Sequence, residues 1–295
     1  MKRLLFILIF LSLSFGLGQT ILVDDELRSY KIHLPESYQS SKQYPLFVLL
    51  HGKNLSADNM ITISGLNDYA DQNEFIALYP QGRNKEWNYL ASPRGAKDIV
   101  FIKTLIKKIS SDYSVDQKRI YLAGFSNGGF MAQRLICDKD AIFAAFASVS
   151  APLNRELPAF CPKAQNTSIL LIHGTADHIL PFDGVVRNGR TLLPSVTTSY
   201  EYWLLAMSCS DDITSTNLES IDEETRVVLF ESRGCENNQE VNLYAVVNGG
   251  HNWPGHRGFI PTSIAGKTSR DIDANQVLWE FFKRHSLNPK TKPSN

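Results

Sequence analysis

The sequence predicts an α/β domain with a mostly parallel central sheet and helices on both faces. Three observations carry that reading. Short unbroken apolar runs recur along the chain, longer stretches with helical periodicity lie between them, and no repeat or low-complexity linker interrupts the alternation. A strand buried on both faces reads as a continuous apolar run, because neither face meets water.

Taken in order, Arg28 to Leu34 alternates polar and apolar residues and predicts an antiparallel edge strand. Pro45 to Leu50 (PLFVLL) is an unbroken run, and Phe75 to Tyr79 (FIALY) is another that stops at Pro80. Arg119 to Ala123, Ala144 to Val149 and Ser168 to Ile172 follow, and Val241 to Val247 is the expected last strand. Helices are expected over Asp98 to Tyr113, Gly129 to Ile136, Val196 to Met207 and Asp271 to Arg284. The first places Ile99, Ile102, Leu105, Ile106 and Ile109 on one face, and the last does the same with Val277, Leu278, Phe281 and Phe282.

Composition narrows the function classes. The 295 residues suit one large α/β domain. Thirty basic residues balance 30 acidic ones, which excludes the basic footprint of a nucleic-acid binder. With 43% hydrophobic and 20% charged residues, the chain is not a disordered one. Lys2 and Arg3 precede an apolar stretch from Leu4 to Phe15, and Gly16-Leu17-Gly18 then supplies small residues. That pattern predicts a secretory signal over residues 1–18, with an uncleaved membrane anchor as the competing reading. Residues 19–287 then form the catalytic domain and 288–295 a polar tail, with no membrane span in the mature chain.

Cys137, Cys161, Cys209 and Cys235 are an even number in a chain expected to be exported, which suggests two disulfides. Four cysteines allow three pairings, and sequence alone does not choose among them. The local pairs Cys137–Cys161 and Cys209–Cys235 are favoured because each closes a short loop. No C-x-x-C occurs and the histidines lack ligand spacing, so no metal is expected.

Ligands of such sheets bind beyond the carboxyl ends of the strands. There, Gly124-Phe125-Ser126-Asn127-Gly128 forms a G-x-S-x-G motif between an expected strand and an expected helix. A tight strand-to-helix turn projects the central hydroxyl above the sheet, next to a helix N-terminus that favours negative charge. The bland alternative is a glycine-rich capping or phosphate-binding turn. A serine hydroxyl needs a base, and the base needs an orienting carboxylate. In the hydrolase fold built on this elbow they follow in the order serine, acid, histidine. Asp177, just past the run Ser168 to Ile172, is the candidate acid, with Asp183 the runner-up and a simple turn the alternative. His251, after the last expected strand, is the candidate base, and His256 lies further out. His173 precedes the acid and reads as a structural residue that ties the loop. The oxyanion of acyl transfer needs two backbone donors. Asn127, directly after the nucleophile, and Lys53, in the His51-Gly52-Lys53 turn, are the candidates.

Four segments, LLHGK, GFSNGG, HGTADHILPF and GGHNWPG, now stand in order. Together they resemble the secreted esterase family that contains polyhydroxybutyrate depolymerases, feruloyl esterases and acetylxylan esterases. The resemblance runs from about Ser29 to Arg284, and HGTAD and GGHNWPG are its specific part. It implies an α/β-hydrolase fold, a serine esterase mechanism without cofactor, and an ester from polysaccharide or polyester as substrate. It maps nucleophile, acid and base to Ser126, Asp177 and His251, and supports the local cysteine pairs. Trp87 and Trp253 resemble aromatic residues that line the acyl or alcohol site. Two positions depart from the depolymerase pattern: Lys53 stands where many members have cysteine, and Lys97 where many have an acid. Neither touches the triad, and both weigh against a polyhydroxybutyrate substrate in particular. The other functions open to the sequence are a peptidase on the same fold and a non-catalytic binding protein.

Overall fold

The computed structural model describes residues 19–138, 142–159, 161, 167–256 and 260–287. The signal expected over 1–18 and the tail expected over 288–295 lie outside the described residues. In chain order the elements are β1 (Gln19–Val23), β2 (Glu26–His33), β3 (Tyr44–Leu50), α1 (Ala57–Ser64), α2 (Leu66–Asn73), β4 (Ile76–Pro80), α3 (Pro93–Asp112), β5 (Val115–Phe125) and α4 (Asn127–Ile136). They continue with β6 (Ala145–Val149), β7 (Ser168–Gly174), β8 (Val185–Arg187), β9 (Arg190–Leu193), α5 (Val196–Ala206), β10 (Ile213–Asn217), β11 (Arg226–Ser232), β12 (Val241–Val247), α6 (Thr262–Ala265) and α7 (Ala274–Phe282).

Ten strands form one sheet in the order β1-β2-β4-β3-β5-β6-β7-β12-β11-β10. The six inner strands, from β4 to β12, run parallel, and antiparallel pairs flank them on both sides. The apolar runs of the sequence are these inner strands, and their side chains divide by the two-residue period. Leu46, Val48 and Leu50 of β3 join the core under α3, α4 and α5. Phe47 and Leu49 join the core under α1, α2 and α7. Both faces are dry, which is why no polar alternation marks these strands.

Three helices begin elsewhere than periodicity suggests, two of them for a capping reason. Ser92 caps α3 through the Gly95 N–H, and Pro93 fills the first helical position, so α3 starts ahead of Asp98. Asp273 caps α7 by accepting from the Asn275 and Gln276 N–H groups, so α7 starts after Asp271. α4 starts two residues early, at Asn127, directly from the nucleophile turn.

The expected edge strand is not an edge: β1 pairs along β2, from Gln19–Tyr30 to Val23–Glu26. Likewise β12 is the last strand in sequence but lies inside the sheet, because β11 and β10 extend it. Both disulfides join the expected local pairs, Cys137–Cys161 and Cys209–Cys235. Among the described residues no helix is long and apolar enough to cross a membrane.

Candidate active site

Ser126 sits between β5 and α4 with φ 54° and ψ −118°, a backbone conformation that side chains other than glycine rarely adopt. The turn holds it there. The Ser126 N–H donates to the Val149 carbonyl at 2.9 Å, and the Ser126 carbonyl accepts from the Gly129 N–H at 2.8 Å. The flanking glycines are required by contact: a Cβ on Gly124 would land on the Gly128 carbonyl, and one on Gly128 would come within 2.6 Å of the His51 carbonyl oxygen. The hydroxyl thus stands half-exposed at the carboxyl end of the sheet, at the positive end of α4.

β7 and β12 are parallel neighbours, so the loops after them emerge side by side. That adjacency brings Asp177 and His251 together: His251 Nδ1 lies 2.7 Å from Asp177 Oδ2, with both side chains buried. The other carboxylate oxygen accepts from the Ile179 and Leu180 N–H groups, each at 2.8 Å. Burial pushes the Asp177 pKa up, but hydrogen bonds from His173 and His251 outweigh it and hold the carboxyl well below its ordinary range. An ionised carboxylate only accepts, so Nδ1 of His251 carries the proton and Nε2 is left basic. The His251 ring packs 5.1 Å from the ring of Phe125, the residue before the nucleophile. Among the described residues Ser126 makes no direct hydrogen bond to His251 in this resting geometry; free hydrolases often close that contact only on substrate.

His173 does more than the sequence reading gave it. Its Nε2 donates to the Leu180 carbonyl at 2.8 Å and lies 3.3 Å from Asp177 Oδ2. It therefore ties the acid loop and also touches the acid itself. Asp183 is exposed, and the carboxylate held by His251 is that of Asp177. His256 faces Asp273 and Asn275 instead, away from the triad.

The two candidate oxyanion donors lie on adjacent strand ends, since β3 and β5 pair up to Leu50–Gly124. A Cβ on Gly52 would lie 3.4 Å from Ser126 Cβ, so the turn that carries Lys53 runs directly against the nucleophile. The Lys53 side chain is paired with Glu86 at 2.8 Å, so the candidate donor is its backbone N–H. Asn127 opens α4, where the first N–H groups have no acceptor within the helix.

Trp87 and Trp253, which the resemblance implies line the acyl or alcohol site, are both buried. Trp87 is 1% exposed and Trp253 is 2% exposed, so neither ring offers a face to a ligand in this conformation. Each indole N–H is used inside the protein. Trp87 Nε1 donates to the His51 carbonyl at 3.0 Å, and Trp253 Nε1 to Asn275 Oδ1 at 3.1 Å. Burial of a large ring depends on the loops that close over it, which no local pattern in the sequence records.

Known proteins resemble the chain in sequence and in fold. A family model described as esterase PHB depolymerase matches residues 28–156, and one described as phospholipase/carboxylesterase matches residues 94–227. NocK of Nocardia uniformis subsp. tsuyamanensis, a protein named as an esterase, is 27% identical over 288 residues, covering 90% of this chain and 82% of its own. Feruloyl esterase C of Emericella nidulans is 29% identical over 172 residues, 56% of this chain and 61% of that protein. The chain thus spans less than two thirds of that feruloyl esterase. In three dimensions an acetyl xylan esterase from Aspergillus awamori superposes with a TM-score of 0.56 at 14% identity, over 80% of this chain and 94% of that one. At that identity the likeness is one of fold.

Sheet order, helix layers and nucleophile turn define an α/β-hydrolase. Within that class the chain is a carboxylic-ester hydrolase, similar to the esterase family of polyhydroxybutyrate depolymerases, feruloyl esterases and acetylxylan esterases.

Proposed function

We propose that the chain is a secreted serine esterase that works through an acyl-enzyme on Ser126. The observation that carries this reading is the 2.7 Å contact between His251 Nδ1 and Asp177 Oδ2, set beside a serine held in a strained elbow. His251 Nε2 takes the Ser126 proton as Oγ attacks the ester carbonyl. Asp177 holds the ring and stabilises the imidazolium. The backbone N–H groups of Lys53 and Asn127 receive the oxyanion, where each donor is worth roughly 3 kcal/mol of barrier. The imidazolium then protonates the leaving alcohol. Water, activated by the same nitrogen, attacks the acyl-enzyme and restores Ser126.

The substrate class follows from the likenesses: feruloyl or acetyl esters on polysaccharide, or polyhydroxyalkanoate-type esters. Two disulfides fit an oxidising compartment, which supports export to the periplasm or beyond. The test is hydrolysis of feruloyl, acetyl, aliphatic and hydroxybutyrate esters by the protein and by Ser126→Ala. Ester turnover that vanishes in the variant supports the proposal. Equal activity in both proteins, or none in either, would sink it, and amide cleavage at rates rivalling ester cleavage would turn it toward a peptidase.

A further inference from the structure

We infer that Trp87 is a positioning residue: a strap that fixes the spacing between the two backbone donors of the oxyanion hole. The inference rests on the serine esterase reading above and adds to it a residue that touches no substrate. Trp87 lies on neither β3 nor β5, yet it is bonded to the residue that follows β3 and to the first residue of α4. Its backbone N–H donates to Asn127 Oδ1 at 2.7 Å, and its carbonyl accepts from Asn127 Nδ2 at 3.1 Å. This two-point clamp fixes the residue that carries one donor. The indole Nε1 donates to the His51 carbonyl at 3.0 Å, two residues before the other donor, Lys53.

The far side of each grip is also held. Gly128 lies flush against the His51 carbonyl, which is thereby pinned between α4 and the indole. The Gly82 N–H donates to His51 Nε2 at 2.9 Å, so Nδ1 carries the proton and donates to the Gly52 carbonyl at 2.8 Å. Burial pushes the His51 pKa down to about 4, so this ring stays neutral and keeps that donor arrangement at neutral pH. The Trp87 ring stacks on Phe101 of α3, which backs the strap with a rigid helix. An oxyanion hole works only if its donors are aimed before the charge forms. A chain of short hydrogen bonds through one buried ring supplies that aim here.

The experiment compares the full chain with Trp87→Phe, which keeps the stack but removes the indole N–H, and with Asn127→Ala, which keeps the backbone donor but removes the clamp. The readouts are kcat and KM on p-nitrophenyl acetate, inhibition by an aryl trifluoromethyl ketone, and Tm. The ketone forms a tetrahedral oxyanion on Ser126, so it reports the hole directly. The strap predicts that kcat falls roughly tenfold to hundredfold in each variant with KM within about twofold, as for displaced transition-state donors. Ketone inhibition weakens by the same factor as kcat/KM. The double variant falls little further than the worse single one, because both cut the same strap. Wild-type turnover with undiminished kcat in Trp87→Phe and Asn127→Ala would overturn the inference and leave the esterase reading intact. So would a fall in kcat with unchanged ketone inhibition, or activity in both variants that merely tracks a lost folded fraction. An inactive wild-type protein would overturn the esterase reading and the strap with it.

Discussion

His251 and Asp177 lie 74 residues apart in sequence, and their side chains meet at 2.7 Å. The contact dictates which ring nitrogen is basic, so its chemistry can be changed without moving the ring. Asp177→Asn presents an amide where a carboxylate stood and favours the wrong tautomer of His251. In the analogous serine-protease substitution kcat falls about 10⁴-fold with the geometry kept. The same order of loss, with KM little moved, is expected here on a soluble chromogenic ester. If Asp177→Asn kept more than about a tenth of wild-type kcat, the acid would have to be sought elsewhere, with exposed Asp183 the next candidate.

The nucleophile turn stores strain that a substitution can release. At φ 54° and ψ −118°, Ser126 occupies a conformation that costs about 1–3 kcal/mol for a residue with a Cβ. Glycine removes that cost. Ser126→Gly is therefore expected to abolish ester hydrolysis and raise the melting temperature, by roughly 2–4 °C for each kcal/mol released. Scanning calorimetry of the two proteins checks it. A variant less stable than wild type would mean that Oγ makes a contact worth more than the backbone strain.

The parallel core was legible because burial on both faces leaves its mark in every residue of a strand, as in PLFVLL. β10 (ITSTN) was not, because all five residues are exposed and no apolar run exists to read. α2 was missed for a related reason: it buries only Leu66 and Ala70, too little for a periodic stripe. The hairpin of β8 and β9 has almost no buried residue and escaped as well. The candidate site carries local signatures that its surroundings lack. Ser126, Asp177 and His251 each follow a strand end, and the acid and base loops emerge from neighbouring strands. What the residue order could not show is the second grip of His173 on Asp177, or the indoles of Trp87 and Trp253 turned inward onto protein acceptors. Those depend on which loops close over which, a matter of tertiary packing alone.

Acid sensitivity follows from buried imidazoles. His51 and His285 both have pKa values pushed down to about 4 by burial. A histidine depressed in the folded state binds its proton in the unfolded chain first. Stability is thus full above about pH 6.5 and is lost as pH falls toward 4, by about 3 kcal/mol for fully buried His51. Asp177 adds a second stage with the same sign. Its folded pKa is lowered, so its contribution is present above about pH 4 and disappears as pH falls further. Melting temperature should therefore fall in two steps on acidification. His285→Gln should shrink the first step and leave the part due to His51, and Asp177→Asn should shrink the second. A flat profile between pH 6.5 and 4 in the wild type would contradict the first stage.

The disulfides stabilise the domain at a distance from its chemistry. Cys137 ends α4 and is joined to Cys161, 24 residues on, while Cys209 follows α5 and is joined to Cys235, 26 residues on. Closing loops of this length removes chain entropy from the unfolded state worth about 3 kcal/mol each. Neither pair touches Ser126, Asp177 or His251, so the loss should appear in stability and not in turnover. Cys209→Ala/Cys235→Ala is expected to lower the melting temperature by roughly 6–12 °C with kcat/KM at 25 °C unchanged within about twofold. Cys137→Ala/Cys161→Ala should cost more, because Cys161 is only 1% exposed within the larger core and its truncation leaves a cavity as well. Treating the wild type with a phosphine reductant should reproduce only the loop-closure part of the two losses, because the reduced thiols still fill the space around Cys161. Equal losses in the two double variants would show that the core around Cys161 collapses onto the vacated space, and a fall in kcat/KM at 25 °C would show that α4 transmits the missing anchor to the nucleophile at its other end.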